Sequence, residues 1–144
     1  MEAFLKEGNN VVFLTLGDAA IYSTFTYIQQ IVEEDGFQTQ LISGVPSFCA
    51  AAARMNMPLA VWNEQIHIFP AVHNPAELLP ASGTCVLMKA GTGVKQLKEI
   101  LKNSGRDAVM VENCGMREEH VYFHVDDMPD EAGYYSLMIV KGKE

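Results

Sequence analysis

Val11-Val12-Phe13-Leu14-Thr15-Leu16-Gly17-Asp18-Ala19-Ala20-Ile21-Tyr22-Ser23-Thr24 is the stretch that decides how this chain is read. Val11 to Leu16 is a short apolar run rich in β-formers and predicts a buried strand. Gly17 and Asp18 break it. Ile21, Phe25, Ile28 and Val32 then recur on one helical face, predicting a helix over residues 21–34. A strand, a Gly-Asp turn and a helix form the place where an open α/β sheet offers backbone N–H groups and a carboxylate to a ligand. The same turn also occurs where no ligand binds and the aspartate only caps the helix, so these residues alone leave both readings open.

Downstream, Asp35-Gly36 supplies a helix stop, and Phe37 to Ile42 alternates well enough for a second strand. Strand, helix, strand makes a right-handed parallel unit. Upstream, residues 2–7 read as the last turns of a helix stopped by Gly8-Asn9-Asn10. Two parallel strands make no stable sheet alone, and parallel sheets want both faces covered. The missing strands are therefore expected from upstream sequence or from another chain, and the 144 residues read as the later part of a longer protein. The exposed face and edge also predict a homodimer or higher oligomer.

Gly44-Val45-Pro46 interrupts the pattern and sets the expected domain boundary, with residues 1–45 before it and 46–144 after it. Ser47 can cap a short alanine-rich helix bearing Phe48, Ala51, Ala52 and Met55, stopped at Met57-Pro58-Leu59. Gln65 to Val72 predicts a strand in which Pro70 marks an edge or an end. Asn74 and Pro75 open a brief helical turn. Thr84 to Lys89 predicts a buried strand, and Gly91-Thr92-Gly93 leads into a helix from Val94 with Leu97, Ile100 and Leu101 on its apolar face. Ala108–Glu112, Glu119–Val125 and Tyr134–Val140 complete a mixed sheet of five strands, the last two read as an antiparallel pair.

The net charge of −8 argues against nucleic-acid or anionic-membrane partners, which call for a basic surface. Cys49, Cys85 and Cys114 are odd in number and far apart, which suits reduced thiols in a cytoplasmic protein. No apolar run approaches the ~20 residues of a membrane span. His120 and His124 would lie ~13 Å apart along a strand, too far for one metal ion, so no metal site is expected. The eight methionines read as core filling rather than copper ligands. Gly91-Thr92-Gly93 lacks the lysine of a phosphate loop and reads as a strand-to-helix turn. Lys89 ends an apolar strand, an uncommon place for a charge unless it faces a cleft or solvent, and Tyr134 precedes a buried strand.

Together these residues resemble the tetrapyrrole methylases. Leu16-Gly17-Asp18 with Ile21 is similar to their glycine-aspartate motif, although Ala19 stands where the family usually has proline. Gly44-Val45-Pro46-Ser47-Phe48 resembles their second motif, and Val86-Leu87-Met88-Lys89 the strand whose end meets the cofactor. Tyr22-Ser23-Thr24-Phe25, Ser47-Phe48-Cys49-Ala50 and Tyr134-Tyr135-Ser136 are most similar to the branch that methylates carbon 20 of precorrin-2 or cobalt-factor II. The family's glycine-rich loop near its N-terminus has no counterpart here.

The resemblance implies a two-domain α/β fold, with a remnant of the first domain, the whole second domain with a mixed sheet, and S-adenosylmethionine held between domains. By motif, Leu16, Gly17, Asp18 and Ile21 line the methionine end of the cofactor, and Pro46, Ser47, Lys89, Val109 and Ser136 approach it from the second domain. Asp18, Lys89 and Tyr134 are the nominees for catalysis, handling the proton that the methylated carbon must lose. Arg54 and Lys89 are the cations best placed for the carboxylates of a tetrapyrrole substrate. The family is also dimeric. The competing class is a non-enzymatic α/β binding module, and with its first loop lacking the chain is expected to have little or no activity by itself.

Overall fold

The computed structural model describes residues 1–70 and 82–142, which fall in two compact units, Met1–Pro46 and Ser47–Glu144. The predicted turn of helix at Asn74 and Pro75, and the end of the strand expected to reach Val72, lie outside the described residues.

Unit 1 holds α1 (Glu2–Lys6) and α2 (Phe25–Glu34). α1 stops where expected, with Gly8 at φ +81 and the Asn9 side-chain amide donating to the Phe4 carbonyl. α2 starts four residues later than the apolar pattern predicts. Tyr22 sits at φ +51, a left-handed conformation that cannot continue a helix, and the Ser23 hydroxyl accepts the Phe25 N–H instead. The predicted stop is in place. Gly36 at φ +85 follows Asp35, and the Phe37 N–H returns to the Val32 carbonyl, closing the last turn.

The two strands predicted in unit 1 do not form. Neither Val11–Leu16 nor Phe37–Ile42 is paired in a ladder, and Val12, Leu14, Leu16 and Ile42 are among the most exposed apolar residues of the chain. The physical reason is a lack of neighbours, since a strand exists only through its partner's hydrogen bonds and a lone parallel pair is too weak to hold. The β-forming composition is there; the sheet that would use it is not.

Unit 2 is a five-stranded mixed sheet in the order β1-β2-β5-β3-β4, from β1 (Ile66–Phe69), β2 (Thr84–Met88), β3 (Ala108–Glu112), β4 (His120–Tyr122) and β5 (Ser136–Val140). β1 pairs parallel to β2, and the remaining pairs are antiparallel. β1 is an edge strand and ends just before Pro70, which costs no ladder hydrogen bond there. The expected β4–β5 hairpin is not formed: β5 inserts between β2 and β3. All five residues of β5 are buried, so it gains most with a neighbour on each side, and the long connection from Phe123 to Tyr135 lets it cross.

α4 (Val94–Ser104) covers one face of the sheet. Val94, Leu97 and Leu101 pack with Cys85, Leu87, Ala108, Met110, Met138 and Val140, and each such side chain contributes about 1.5–3 kcal/mol of burial. Gly105 at φ +64 ends the helix. α3 (Ser47–Arg54) buries Phe48, Ala51 and Ala52 and packs against β5, its alanines permitting the close approach that the sequence predicts. Glu64 ties the start of β2 to the end of the fold. It accepts from the Thr84 hydroxyl at 2.7 Å and from Lys141 Nζ at 3.4 Å, and the Thr84 bond leads the contacts that hold its carboxyl below the usual range.

Candidate functional site

Of the residues singled out by sequence, Leu16, Gly17, Asp18, Ile21 and Pro46 belong to unit 1, and Ser47, Lys89, Val109, Tyr134 and Ser136 to unit 2.

In unit 1 the turn is built by Asp18. Its Oδ1 accepts the Ala20 N–H at 2.8 Å and its Oδ2 the Gly44 N–H at 3.0 Å, while its carbonyl takes the Ile21 N–H at 3.2 Å. Gly17 has φ +83, and a Cβ on Gly44 would lie 2.2 Å from the Gly17 carbonyl oxygen, so the two backbones touch where no side chain fits. Both carboxylate oxygens of Asp18 thus shape the chain, with lone-pair capacity left over for another donor. Leu16 is exposed and Ile21 half-buried beside this turn.

In unit 2, Lys89, Tyr134 and Ser136 come together at one end of the sheet. Lys89 follows β2 with φ +53, and its N–H donates to the Ser136 carbonyl at 3.0 Å. Its ammonium lies 5.1 Å from the centre of the Tyr134 ring, a cation–π contact at the surface. Tyr134 and Tyr135 stack edge to face at 5.3 Å. The Ser136 hydroxyl is buried with no hydrogen-bond partner among the described residues, an uncommon condition for a core hydroxyl. Val109 is not part of this group. It pairs with Ile139, three residues along β5 from Ser136, or roughly 10 Å at strand rise. Ser47 is exposed as the first residue of α3.

Three residues that sequence reasoning passed over support this end of the sheet. Glu112 stands opposite Ser136 in the β3–β5 register and accepts the Gly133 N–H at 2.9 Å and the Tyr122 hydroxyl at 3.1 Å. Burial, and then the Glu112 carboxylate, push the Tyr122 phenol above its usual range. Asn113, at φ +52, donates its N–H to the Tyr135 carbonyl at 2.9 Å. The available signal was a carboxylate closing the apolar run Ala108–Val111, the same signal that drew attention to Lys89. A Cβ on Gly91 would sit 2.3 Å from the Ala132 carbonyl oxygen, so the loop before Tyr134 lies directly on the backbone of that glycine.

Arg54 is not an unengaged cation for substrate. It pairs with Glu119 at 2.6 Å, and Glu119 also accepts the Gly115 N–H at 2.8 Å. The Gly115 bond and then Arg54 hold that carboxyl below its usual range. His120 Nδ1 lies 3.2 Å from the Glu118 carbonyl, and His124 has left the strand to meet Asp107 at 3.1 Å. Among the described residues no cluster of three or more His, Cys, Asp or Glu side chains is disposed to hold a metal ion, and no helix is long and apolar enough to cross a membrane.

The family profile of Tetrapyrrole (Corrin/Porphyrin) Methylases matches residues 1–127. A probable cobalt-precorrin-2 C(20)-methyltransferase of Methanocaldococcus jannaschii is 28% identical over 98% of this chain and 63% of its own length. The cobalt-precorrin-2 C(20)-methyltransferase of Salmonella typhimurium is 29% identical over 97% of the chain and 62% of its own. The chain therefore spans somewhat less than two thirds of these curated relatives. In fold it is similar to a cobalt precorrin-4 methyltransferase (TM-score 0.78, 21% identity, 98% of this chain and 67% of that one). It is also similar to the uroporphyrin-III-C-methyltransferase of Thermus thermophilus (TM-score 0.74, 22% identity, 96% of this chain and 67% of that one). With the profile covering all of unit 1 and most of unit 2, this α/β chain belongs to the tetrapyrrole methylase family.

Proposed function

We propose that the chain is part of an S-adenosylmethionine-dependent C-methyltransferase of cobalamin biosynthesis, acting on a tetrapyrrole of the precorrin-2 or cobalt-factor II type. The observation that carries this reading is the match over nearly the whole chain to relatives named as C(20)-methyltransferases. Units 1 and 2 are the corresponding first-domain portion and second domain.

Ser136 supports the fit of the cofactor to unit 2: a buried hydroxyl without a partner is a group that a polar ligand atom can satisfy. Ser47, Lys89, Val109 and Ser136 are assigned to cofactor binding in unit 2, and Leu16, Gly17, Asp18, Ile21 and Pro46 in unit 1. S-adenosylmethionine supplies a methyl group already activated on a sulfonium. The chain's own task is then to hold and orient, which can contribute ~7–11 kcal/mol to a rate. Asp18 retains acceptor capacity beyond its two backbone bonds, and Lys89 and Tyr134 form a contiguous polar pair at the surface. These three are the groups assigned to accept or relay the proton lost from the macrocycle carbon. The setting is cytoplasmic, in keeping with three separated thiols. The assembly is a homodimer that covers the exposed Tyr27 and Ile31 of α2.

Turnover by these 144 residues alone is little or none, because unit 1 leaves Val12, Leu14 and Leu16 beside the Gly-Asp turn exposed rather than packed in a sheet. The test is calorimetric titration with S-adenosylhomocysteine followed by an assay of methyl transfer to precorrin-2. Weak binding that falls further in Asp18→Ala and is unchanged in His120→Ala is expected. Tight binding with normal turnover would overturn the partial-enzyme reading. Complete absence of binding would favour a non-enzymatic module instead.

A further inference from the structure

A lysine stands in the apolar stripe of α4. Val94, Leu97 and Leu101 are buried, and the position that shares their face one turn after Val94 holds Lys98 instead of a further apolar residue. The Lys98 side chain is 14% exposed, against 50% for Lys102 one turn on. We propose that Lys98 is a positioning residue: it holds the segment Val125–Gly133 against α4 and through that segment places the Tyr134 ring over Lys89. This role rests on the reading that assigns Lys89 and Tyr134 to methyl transfer.

The segment is fastened at both ends by carboxylates that flank β3. Asp107, just before the strand, accepts the Val125 N–H at 3.2 Å, and Glu112, its last residue, accepts the Gly133 N–H at 2.9 Å. Val125 and Met128 belong to the core, and Ala132 packs against it. Between the two ends, Lys98 Nζ donates to the Met128 carbonyl and to Asp130 Oδ1, the latter at 3.0 Å. The Asp130 carbonyl in turn accepts the Lys95 N–H at 3.1 Å, one of the donors that the first turn of a helix leaves without an intrahelical partner. Further on, the Ala132 N–H donates to the Gly91 carbonyl at 3.2 Å, and Tyr134 follows Gly133 directly. Tyr134 is exposed, its ring meeting Tyr135 and Lys89 at the surface, so its place is set by the backbone that carries it more than by packing.

Stability does not explain a lysine at this position. A methionine would fill the stripe without desolvating a charge, and an ion pair with an exposed partner contributes little. An apolar side chain cannot, however, donate to a carbonyl and a carboxylate together, and those two bonds fix where Asp130 lies along the helix. Lys102 does other work. It pairs with Asp126 at the surface, near the end that Asp107 already holds.

The test is NMR of the 144-residue chain. A ring lying under an ammonium shifts the adjoining methylene upfield, so the Lys89 ε-protons report the Tyr134 contact, and Tyr134→Leu gives their value without it. Lys98→Met is expected to move that shift most of the way to the Tyr134→Leu value and to speed amide exchange at Gly133 about tenfold, with the amides of β5 unchanged. Lys98→Arg, which keeps the donors, should stay near the parent. Asp130→Asn, at an exposed partner outside the core, should change both readouts in the same direction by less, and Lys102→Met should change neither. An unchanged Lys89 shift in Lys98→Met, β5 exchange rising together with Gly133, a Lys98→Arg chain that behaves as Lys98→Met, or an equal effect of Lys102→Met would each overturn the proposal. So would a Lys98→Met chain that does not fold, since the lysine would then be structural. These readouts use neither cofactor nor substrate, whereas the methyl-transfer reading stands or falls on the titration with S-adenosylhomocysteine.

Discussion

The carboxylate of Asp18 reaches across 26 residues of sequence to accept the backbone N–H of Gly44 at 3.0 Å, while its other oxygen holds Ala20 two residues away. One side chain thus joins the Gly-Asp turn to the glycine that precedes the unit boundary. Asp18→Ala removes both acceptors. Because Gly44 and Ala20 are exposed, water replaces the lost partner and the cost is on the order of 1 kcal/mol, confined to unit 1. Amide exchange at Gly44 should accelerate in Asp18→Ala and less so in Asp18→Asn, which keeps one acceptor. Unchanged exchange at Gly44 would mean that the bond does not persist in solution.

Ser136→Ala should stabilise unit 2. The hydroxyl is buried without a described partner, so its removal relieves a desolvation penalty of about 1–3 kcal/mol and leaves a nearly isosteric apolar group. A higher Tm is expected, together with weaker binding of S-adenosylhomocysteine. A lower Tm would reveal a partner for the hydroxyl.

Gly91→Ala should destabilise unit 2 by about 1–3 kcal/mol, because the added methyl would lie 2.3 Å from the Ala132 carbonyl and 2.7 Å from that of Gly133, both rigid backbone atoms. The strain falls on the loop whose Gly133 N–H is held by Glu112. Chemical denaturation checks the energy, and Tyr134 fluorescence or exchange at Gly133 checks the location. An unaffected denaturation midpoint would contradict the close approach.

His124 and Asp107 give unit 2 a pH-dependent pair. The hydrogen bond that Asp107 accepts from the His124 ring, and then the carboxylate's charge, raise the histidine above its ordinary value of 6.5. Burial opposes ionisation of Asp107, but bonds from His124, Ala108 and Val125 prevail and lower it from 3.8. The histidine contribution to stability is therefore complete below pH 6.5 and is lost as pH rises through the raised folded value. The aspartate contribution is present above pH 3.8 and is lost as pH falls through its lowered folded value. A proton NMR titration should place the His124 midpoint above 6.5, and Asp107→Asn should return it toward the ordinary value. A midpoint that ignores this substitution would dissociate the two groups.

Unit 2 was legible in sequence where local pattern and tertiary demand agree. The continuous apolar runs Thr84–Met88 and Ala108–Val111 are strands with both faces covered, and the Val94, Leu97, Leu101 stripe is the buried face of α4. The order of strands was less legible, since short sequence separation favours a β4–β5 hairpin and only the complete burial of β5 points to a central place. In unit 1 the β-forming runs were visible, but pairing depends on a neighbour that no local pattern contains. Of the site, Lys89 and Tyr134 could be found because a charge or phenol at the end of an apolar run stands out, whereas Ser136 was named on resemblance. Val109 was named on resemblance, and the register sets it apart. Glu112 went unnoticed because its work is to hold Gly133 and Tyr122, which only the folded chain brings to it.

The place of β5 has a consequence for the order in which the molecule can be made. Among the described strands it comes last in chain order, yet it is the one that joins β1-β2 to β3-β4. Until Ser136–Val140 emerges, no ladder links β1-β2 to β3-β4, and each is a two-stranded pair too weak to hold by itself. Unit 2 therefore completes its sheet only after nearly all of its synthesis, through contacts distant in sequence that are slow to form. During that interval the strand edges that later become interior are open to pairing with other chains.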